Sequence, residues 1–499
     1  MKIKKTFILP AILIIILCFS TVPVRAATLG KVTGIKVKQL SEEKAKLTWS
    51  PKSWAKGYEV YQKSGSGKYK KIKSTGKTAL TINNLNTGQT YYFRVKAFKK
   101  SSGKKVYGKY SSSVKIIMKK NTEAETKIFT VSPKSNPYQN KYVGSYGFTE
   151  QTRTYYVLRS YLEYFANIGG GELHLQKGTY NLLYCLYIPS NTTIVFEDGV
   201  TIRRMDKSTL FTLCSYNDLH TGKKFYGYNG VHDVKLIGKG NVVFDKEYGG
   251  NAAILMGHTK NILIEGITFA HMSDTSSHFI EMDASANVSV TGCTFKNVKK
   301  NSDYVKEAIN LDTPDRETQG FHNDWSTYDK TPNQNVTIAN CKFSNLGRAI
   351  GTHKYSANGE EQIYHKNIVL RNNRIENMLW DSPVRVMNWS DSVLENNVIS
   401  NVKQKGKSDT RGILVSGGVN VSIKNNTLSG MGRAIQCIAW KNSGPGSVYP
   451  ITYNNLTDQN KEDLKTNIGK KLGLSEYFVR INPVYNVFTD AETVAIRKG

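Results

Sequence analysis

Cysteine is scarce in this sequence, and so is proline. Six cysteines occur in 499 residues, and no two of them are spaced as CxxC. Cys18 sits in the N-terminal apolar run; Cys185, Cys214, Cys293, Cys341 and Cys437 are irregularly spaced. An odd, irregular set excludes a disulfide-framed small fold and a cysteine zinc site, which leaves buried core thiols. Twelve prolines exclude a proline-rich low-complexity chain. No apolar run after residue 26 is long enough to cross a bilayer. Acidic residues are nearly missing from one region: residues 27–120 hold 23 Lys/Arg against 3 Asp/Glu, so +20 of the overall +30 lies there.

What is present begins with a leader. "MKIKK" is a basic n-region, "TFILPAILIIILCFS" an apolar core, and Val24-Arg25-Ala26 offers the small residues of a cleavage site. Residues 1–26 are therefore expected to be a secretory signal peptide, and the mature protein secreted, extracellular or cell-wall associated, with no membrane span. Export sets aside nucleic acid, the usual partner of so basic a segment. An anionic cell-wall polymer is the expected partner instead.

Residues 27–118 read as short strands at regular spacing. "KVTGIKVKQL", "KAKLTWSP", "GYEVYQKS", "YKKIKST", "TALTINNL", "TYYFRVKAF" and "SSSVKIIM" make seven, with Gly-, Asn- and Lys-rich turns between them. Seven strands in this length predict a β-sandwich with Trp49 in its core. Leu85-Asn-Thr-Gly-Gln-Thr-Tyr91 has the form of a tyrosine corner, and the segment resembles a fibronectin type III domain. Residues 119–146 read as a linker.

From 147 the texture changes. "TYYVLRSYLEYFANIGG" has helical spacing and predicts a helix over 152–167. Beyond residue 230 a loose repeat appears: "NILIEGITF", "NVSVTGCTF", "NVTIANCKF", "NIVLRNNRI", "SVLENNVI" and "NVSIKNNTL", each followed by a second strand such as "AILMGH", "FIEMDA" or "AINLDT". Strand–turn–strand units without a helix, at a pitch of about 24–32 residues, predict a solenoid. Cys293, Cys341, Asn373, Asn397 and Asn426 fall at one repeat position. Asn tolerates left-handed backbone and bonds to the coil above and below, so this position is expected to form an inward turn ladder. The opening "GGGELHLQKGTY…LYIPSNTTIVFEDGVTI" resembles pectate-lyase-like and polygalacturonase-like proteins. That resemblance implies a single-stranded right-handed parallel β-helix over 147–499, with a helical N-terminal cap and a C-terminal cap in 441–499. The expected fold class is all-β: a fibronectin type III sandwich followed by a pectin-lyase-like solenoid.

In such a stack, equivalent residues lie about 4.8 Å apart on neighbouring coils. Aligning the second strands puts Glu281/Asp283, Asn310/Asp312, Gly351/His353 and Arg385/Met387 on one outward face. Two carboxylates at strand spacing repel, so one of Asp283 and Asp312 is expected to hold a proton near neutral pH. That is the requirement for acid/base cleavage of a glycosidic bond. Residues 313–334, with Arg316, Trp325 and Tyr328, and residues 355–366 are long insertions expected to wall a cleft. Trp325, Tyr328 and Trp389 are candidate sugar platforms. Asn310-Leu-Asp312, Gly351-Thr-His353 and Arg385-Val-Met387 resemble polygalacturonase elements. The resemblance implies Asp283 and Asp312 as acid and base, His353 as the residue governing their protonation, and Arg385 as a substrate contact. The pattern departs from that family in lacking a paired Asp-Asp, a glycine after His353 and a lysine at Met387.

Three functions remain open at this point. A glycoside hydrolase would need no cofactor. A polysaccharide lyase or epimerase would use calcium on Glu281, Asp283, Asn310 and Asp312, with Arg385 or Lys306 as base. A glycan-binding adhesive protein would use the same face without chemistry.

Overall fold

Contacts divide the chain into two units, residues 1–125 and 126–499. The computed structural model describes residues 29–41, 43–119, 127–206, 208–247, 251–272, 278–298, 307–321, 323–352, 355–440, 452–475, 478–483 and 492–499. The leader lies outside the described residues, and no helix among those described is long and apolar enough to cross a membrane.

The first unit is a sandwich of two antiparallel sheets. Lys36–Ser41, Lys44–Thr48 and Ala79–Ile82 form one; Lys70–Thr75, Gly57–Ser64, Thr90–Ser101, Lys104–Tyr107 and Val114–Ile117 form the other. Alternation drives the packing: Tyr91, Phe93, Val95 and Ala97 point inward against Val60, Leu47 and Trp49, while the residues between them face out. The Tyr91 hydroxyl accepts from the Asn86 N–H at 2.9 Å, closing the tyrosine corner. Lys104–Tyr107 is an eighth strand beyond the seven expected. It arises because the "TYYFRVKAF" strand runs on to Ser101 and turns back at left-handed Ser102 and Gly103.

The second unit is a parallel β-helix with three strands per coil, not two. "NILIEGITF" is not one strand but Lys260–Glu265 and Thr268–Met272, which belong to different sheets. Gly266 (φ 68°) separates them, and Gly292, Asn340, Asn372, Asn396 and Asn425 do the same on later coils. One left-handed residue turns the chain through a corner, and glycine and asparagine are the residues that tolerate it. The ladder residues follow these corners and are not themselves left-handed. Asn373 donates from Nδ2 to Asn397 Oδ1 at 2.9 Å, Asn397 to Asn426 at 2.9 Å, and Asn426 to Asn467 at 2.9 Å. All four are buried, so the ladder runs one coil further than the repeat indicated. Beside it, Phe269, Phe295 and Phe343 stack with centroids 4.8 Å apart and planes within 7° of parallel.

The cap helix spans Arg153–Ile168 and ends at left-handed Gly169. Tyr155, Leu158, Leu162 and Phe165 seal the first coil. The stretch read as linker is not all linker. Ile128–Val131 pairs in parallel with Glu172–Leu175, because its β-branched and aromatic residues meet an open sheet edge and Phe129 packs on Tyr161 and Phe165. At the other end, Ile468–Ser475 and Phe478–Asn482 extend the stack, and Glu492–Ala495 closes it antiparallel.

Candidate active site

The strands carrying the acids stack as the pattern requires. Leu255, Glu281 and Asn310 form one column, continuing through Gly351 to Arg385; Gly257, Asp283 and Asp312 form the other. His353 and Lys306 lie outside the described residues.

Over these columns sits a cavity of about 610 Å³, lined by Glu281, Asn310, Asp312, His278, Leu255, Phe321, Trp325 and several small polar residues. The 313–334 insertion forms its far wall and is pinned in place. Asn333 Nδ2 donates to the Asp312 carbonyl at 2.9 Å and the Met282 carbonyl at 3.1 Å. Ser326 Oγ lies 2.7 Å from His258 Nε2, and Phe225 N–H donates to the Trp325 carbonyl at 2.8 Å. Ser356 donates to Asp315 at 2.8 Å and also meets Thr313, tying the second insertion to the first.

The insertion covers more than the repeat revealed. Asp283 points away from the coil interior as expected, but it is not solvated: none of its surface is exposed. The reason is Gly257 beside it in the column. A Cβ there would lie 2.6 Å from Phe321 Cζ and 3.0 Å from the Trp325 ring, so the missing side chain lets these aromatics settle on the column. Asp283 accepts no hydrogen bond at either oxygen from the described residues. Burial, then the charges of Glu281 and Asp312, push its pKa well above the usual carboxylate range. Both effects favour the protonated, uncharged form of this carboxyl, which sits behind the cavity wall.

Glu281 and Asp312 are the carboxylates that line the cavity. Asn310 Nδ2 donates to Glu281 Oε1 at 2.8 Å, and His278 Nε2 lies 3.4 Å from Glu281 Oε2. His278 Nδ1 is 2.6 Å from the Glu307 carbonyl, which can only accept, so Nδ1 carries a proton. The other ring nitrogen, Nε2, is the one turned toward Glu281. Sequence reasoning missed His278, although its offset of three residues from Glu281 was available as a signal.

Other candidates are placed elsewhere. Trp389 is not a platform: it is fully buried inside the coil, its indole N–H donating to Thr352 Oγ1 at 2.9 Å, because it begins the inward-facing pattern of the next strand. Arg385 lies 3.4 Å from Glu307 Oε1, reaching across Gly351, whose Cβ would fall 2.8 Å from that of Arg385. Arg316 lies 4.2 Å over the Tyr328 ring, so these two occupy each other and do not line the cavity. Trp325 does line it, but as a wall: Phe321 and Phe225 meet it edge-on at 5.1 and 6.0 Å.

Comparison with known proteins agrees with this architecture. Residues 30–113 match the fibronectin type III domain model, and residues 253–456 match the right handed beta helix region model. The chain is a fibronectin type III domain followed by a right-handed parallel β-helix. A curated relative, plasmin and fibronectin-binding protein A of Streptococcus pneumoniae, is 25% identical over 271 residues, which is 48% of this chain and 36% of that protein. The chain thus matches about a third of that relative's length. Among solved structures, the Yersinia enterocolitica family 28 exopolygalacturonase is 12% identical with TM-score 0.43, covering 91% of this chain and 86% of its own. The surface protein and adhesin PfbA of Streptococcus pneumoniae is 18% identical with TM-score 0.48, covering 72% and 98%.

Proposed function

We propose that the protein is a secreted glycoside hydrolase whose β-helix cavity cleaves an extracellular polysaccharide. The observation that carries this reading is the Glu281–His278 pair, a carboxyl and an imidazole 3.4 Å apart at the cavity floor, with Asp312 on the next coil. Strand spacing of about 4.8 Å and a rise of about 3.3 Å per residue put diagonal Glu281 and Asp312 about 8 Å apart at Cα. Asp283 and Asp312 are closer, but Asp283 is sealed from the cavity. In this reading Glu281 with His278 protonates the leaving oxygen, Asp312 activates water, and Asn310 orients Glu281.

Calcium fits this donor set poorly. Glu281 is met by a donating amide and an imidazole, whereas calcium needs converging oxygens. Binding without chemistry is the second reading, favoured by the adhesin-type relative. The basic first unit is proposed to hold an anionic cell-wall polymer. Product analysis over a glycan panel tests the enzyme reading: saturated reducing ends that survive a chelator are expected. Unsaturated, chelator-sensitive products would make it a lyase, and binding without products an adhesin.

A further inference from the structure

The outer face of the five-stranded fibronectin sheet carries an ordered array of cations and rings. Gly57–Ser64 and Thr90–Ser101 pair so that Glu59 faces Lys96, Tyr61 faces Arg94 and Lys63 faces Tyr92. The Arg94 guanidinium is clamped between two rings, 4.0 Å from the Tyr69 centroid and 3.8 Å from that of Tyr110. Lys96 Nζ lies 4.0 Å over Tyr107, and Lys63 Nζ 4.7 Å over Tyr92. Among the described residues, Glu59 is the carboxylate paired with this face. Glu59 is buried, which favours its proton, yet hydrogen bonds from Lys105, Tyr61 and Tyr107 hold its pKa at about 2. Its charge is taken up by Lys105 at 2.9 Å and Lys71 at 3.7 Å. Lys63, Arg94 and Lys96 form no ion pair among the described residues, and Arg94 Nε has no hydrogen-bond partner there.

Cations fixed in this way are unlike ordinary surface lysines. Ring contacts have already removed much of their rotamer freedom, so an anion that binds them orders little more. Arg94 and Lys96 lie two residues apart on one strand, about 7 Å, and Lys63 lies on the neighbouring strand opposite Tyr92, so the charges are spaced to meet a linear polymer with repeated charges. Single-stranded nucleic acid binds by stacking bases on open aromatic faces, and here those faces are covered by the cations. We propose that this face is the polymer-binding surface of the chain, with Arg94, Lys96 and Lys63 holding a linear cell-wall polyanion that bears carboxylates or phosphates. This rests on the reading of the basic unit as a wall-binding module and names the surface responsible.

The test uses the full chain and immobilised polygalacturonate, with polyglycerol phosphate as a second arm to distinguish carboxylate from phosphate. Lys63→Gln/Arg94→Gln/Lys96→Gln should weaken binding to the preferred polymer at least tenfold and flatten its salt dependence. Lys36→Gln/Lys38→Gln/Lys46→Gln removes the same charge from the other sheet and should change binding less than threefold. Arg94→Lys, which keeps the charge but loses the flat clamped fork, should weaken it severalfold with an unchanged melting temperature. Equal losses in both triple variants would overturn the face while leaving a basic wall-binding unit. Binding by neither polymer, or tighter binding of single-stranded DNA, would overturn both.

Discussion

Two aspartates of the β-helix are almost equally buried, and their surroundings are opposite. Asp381 accepts from the Arg411 backbone N–H at 2.6 Å and from Arg411 Nε at 3.0 Å, and Lys407 Nζ lies 2.9 Å away. Burial favours its proton, but the Arg411 and Lys407 contacts outweigh it and hold the pKa at about 2. Asp283 has no donor among the described residues and two carboxylate neighbours, and its pKa moves the other way. Asp381 ties together the corner where the Arg411–Ser416 strand begins. Asp283 stabilises nothing visible. The contrast separates a carboxylate held by cations from one held by burial beside like charges.

The largest expected effect tests that contrast directly. Asp381→Asn leaves the half-buried Arg411 and Lys407 without their carboxylate and should cost about 3 kcal/mol of unfolding free energy in urea. Asp283→Asn removes the cost of burying a carboxyl that is ionised in the unfolded chain and should be neutral or stabilising. A severe loss for Asp283→Asn would make it structural and dissolve the comparison.

Next in size is turnover. Glu281→Gln and Asp312→Asn should each slow glycan cleavage at least about a hundredfold, or about 2.7 kcal/mol in the barrier. His278→Ala should shift the pH profile as well as lower the rate, because its Nε2 is turned toward Glu281. Asp283→Asn, buried behind the cavity wall, should retain most of the rate. Full activity in Glu281→Gln would leave the cavity as a binding site only.

The pH dependence of stability follows, with opposite signs for the two aspartates. The depressed pKa of Asp381 gives stability that is complete above about pH 4 and lost as pH falls through about 2, worth about 2 kcal/mol. The raised pKa of Asp283 gives stability that is complete below about pH 4 and declines as pH rises toward its folded value. Wild type should therefore lose ground to Asp283→Asn on raising the pH, and to Asp381→Asn on lowering it. Urea midpoints from pH 2 to 7 read both slopes, and parallel slopes would refute the assignment.

How much of this was legible in the sequence follows from what a repeat can carry. Period-two alternation and repeat spacing specify register, so Glu281 opposite Asn310 and Asp283 opposite Asp312 were readable. They do not specify what a 22-residue insertion does, and the insertion decides which acid meets solvent. The burial of Asp283 depends on Phe321 and Trp325 settling over Gly257, a contact between residues more than sixty positions apart. Trp389 was misplaced because the corner before it reverses the inward and outward assignment. His278 lies just before its strand, where alternation gives no orientation.

The smallest expected effect probes that seal. Alanine at Gly257 would set its Cβ against Phe321 and Trp325, and these side chains would have to lift. The cost should be modest, about 1 kcal/mol, because loop side chains can shift where a packed coil cannot. Lifting them would bring water to Asp283, reduce the burial that dominates its shift, and bring its pKa back toward the usual carboxylate range. The carboxyl carbon of Asp283, followed by NMR against pH in Gly257→Ala and wild type, reads this. A lower midpoint in the variant is expected. An unchanged midpoint would mean that Glu281 and Asp312, not the aromatic cover, keep Asp283 protonated, and the difference from Asp381 would then lie in charged neighbours alone.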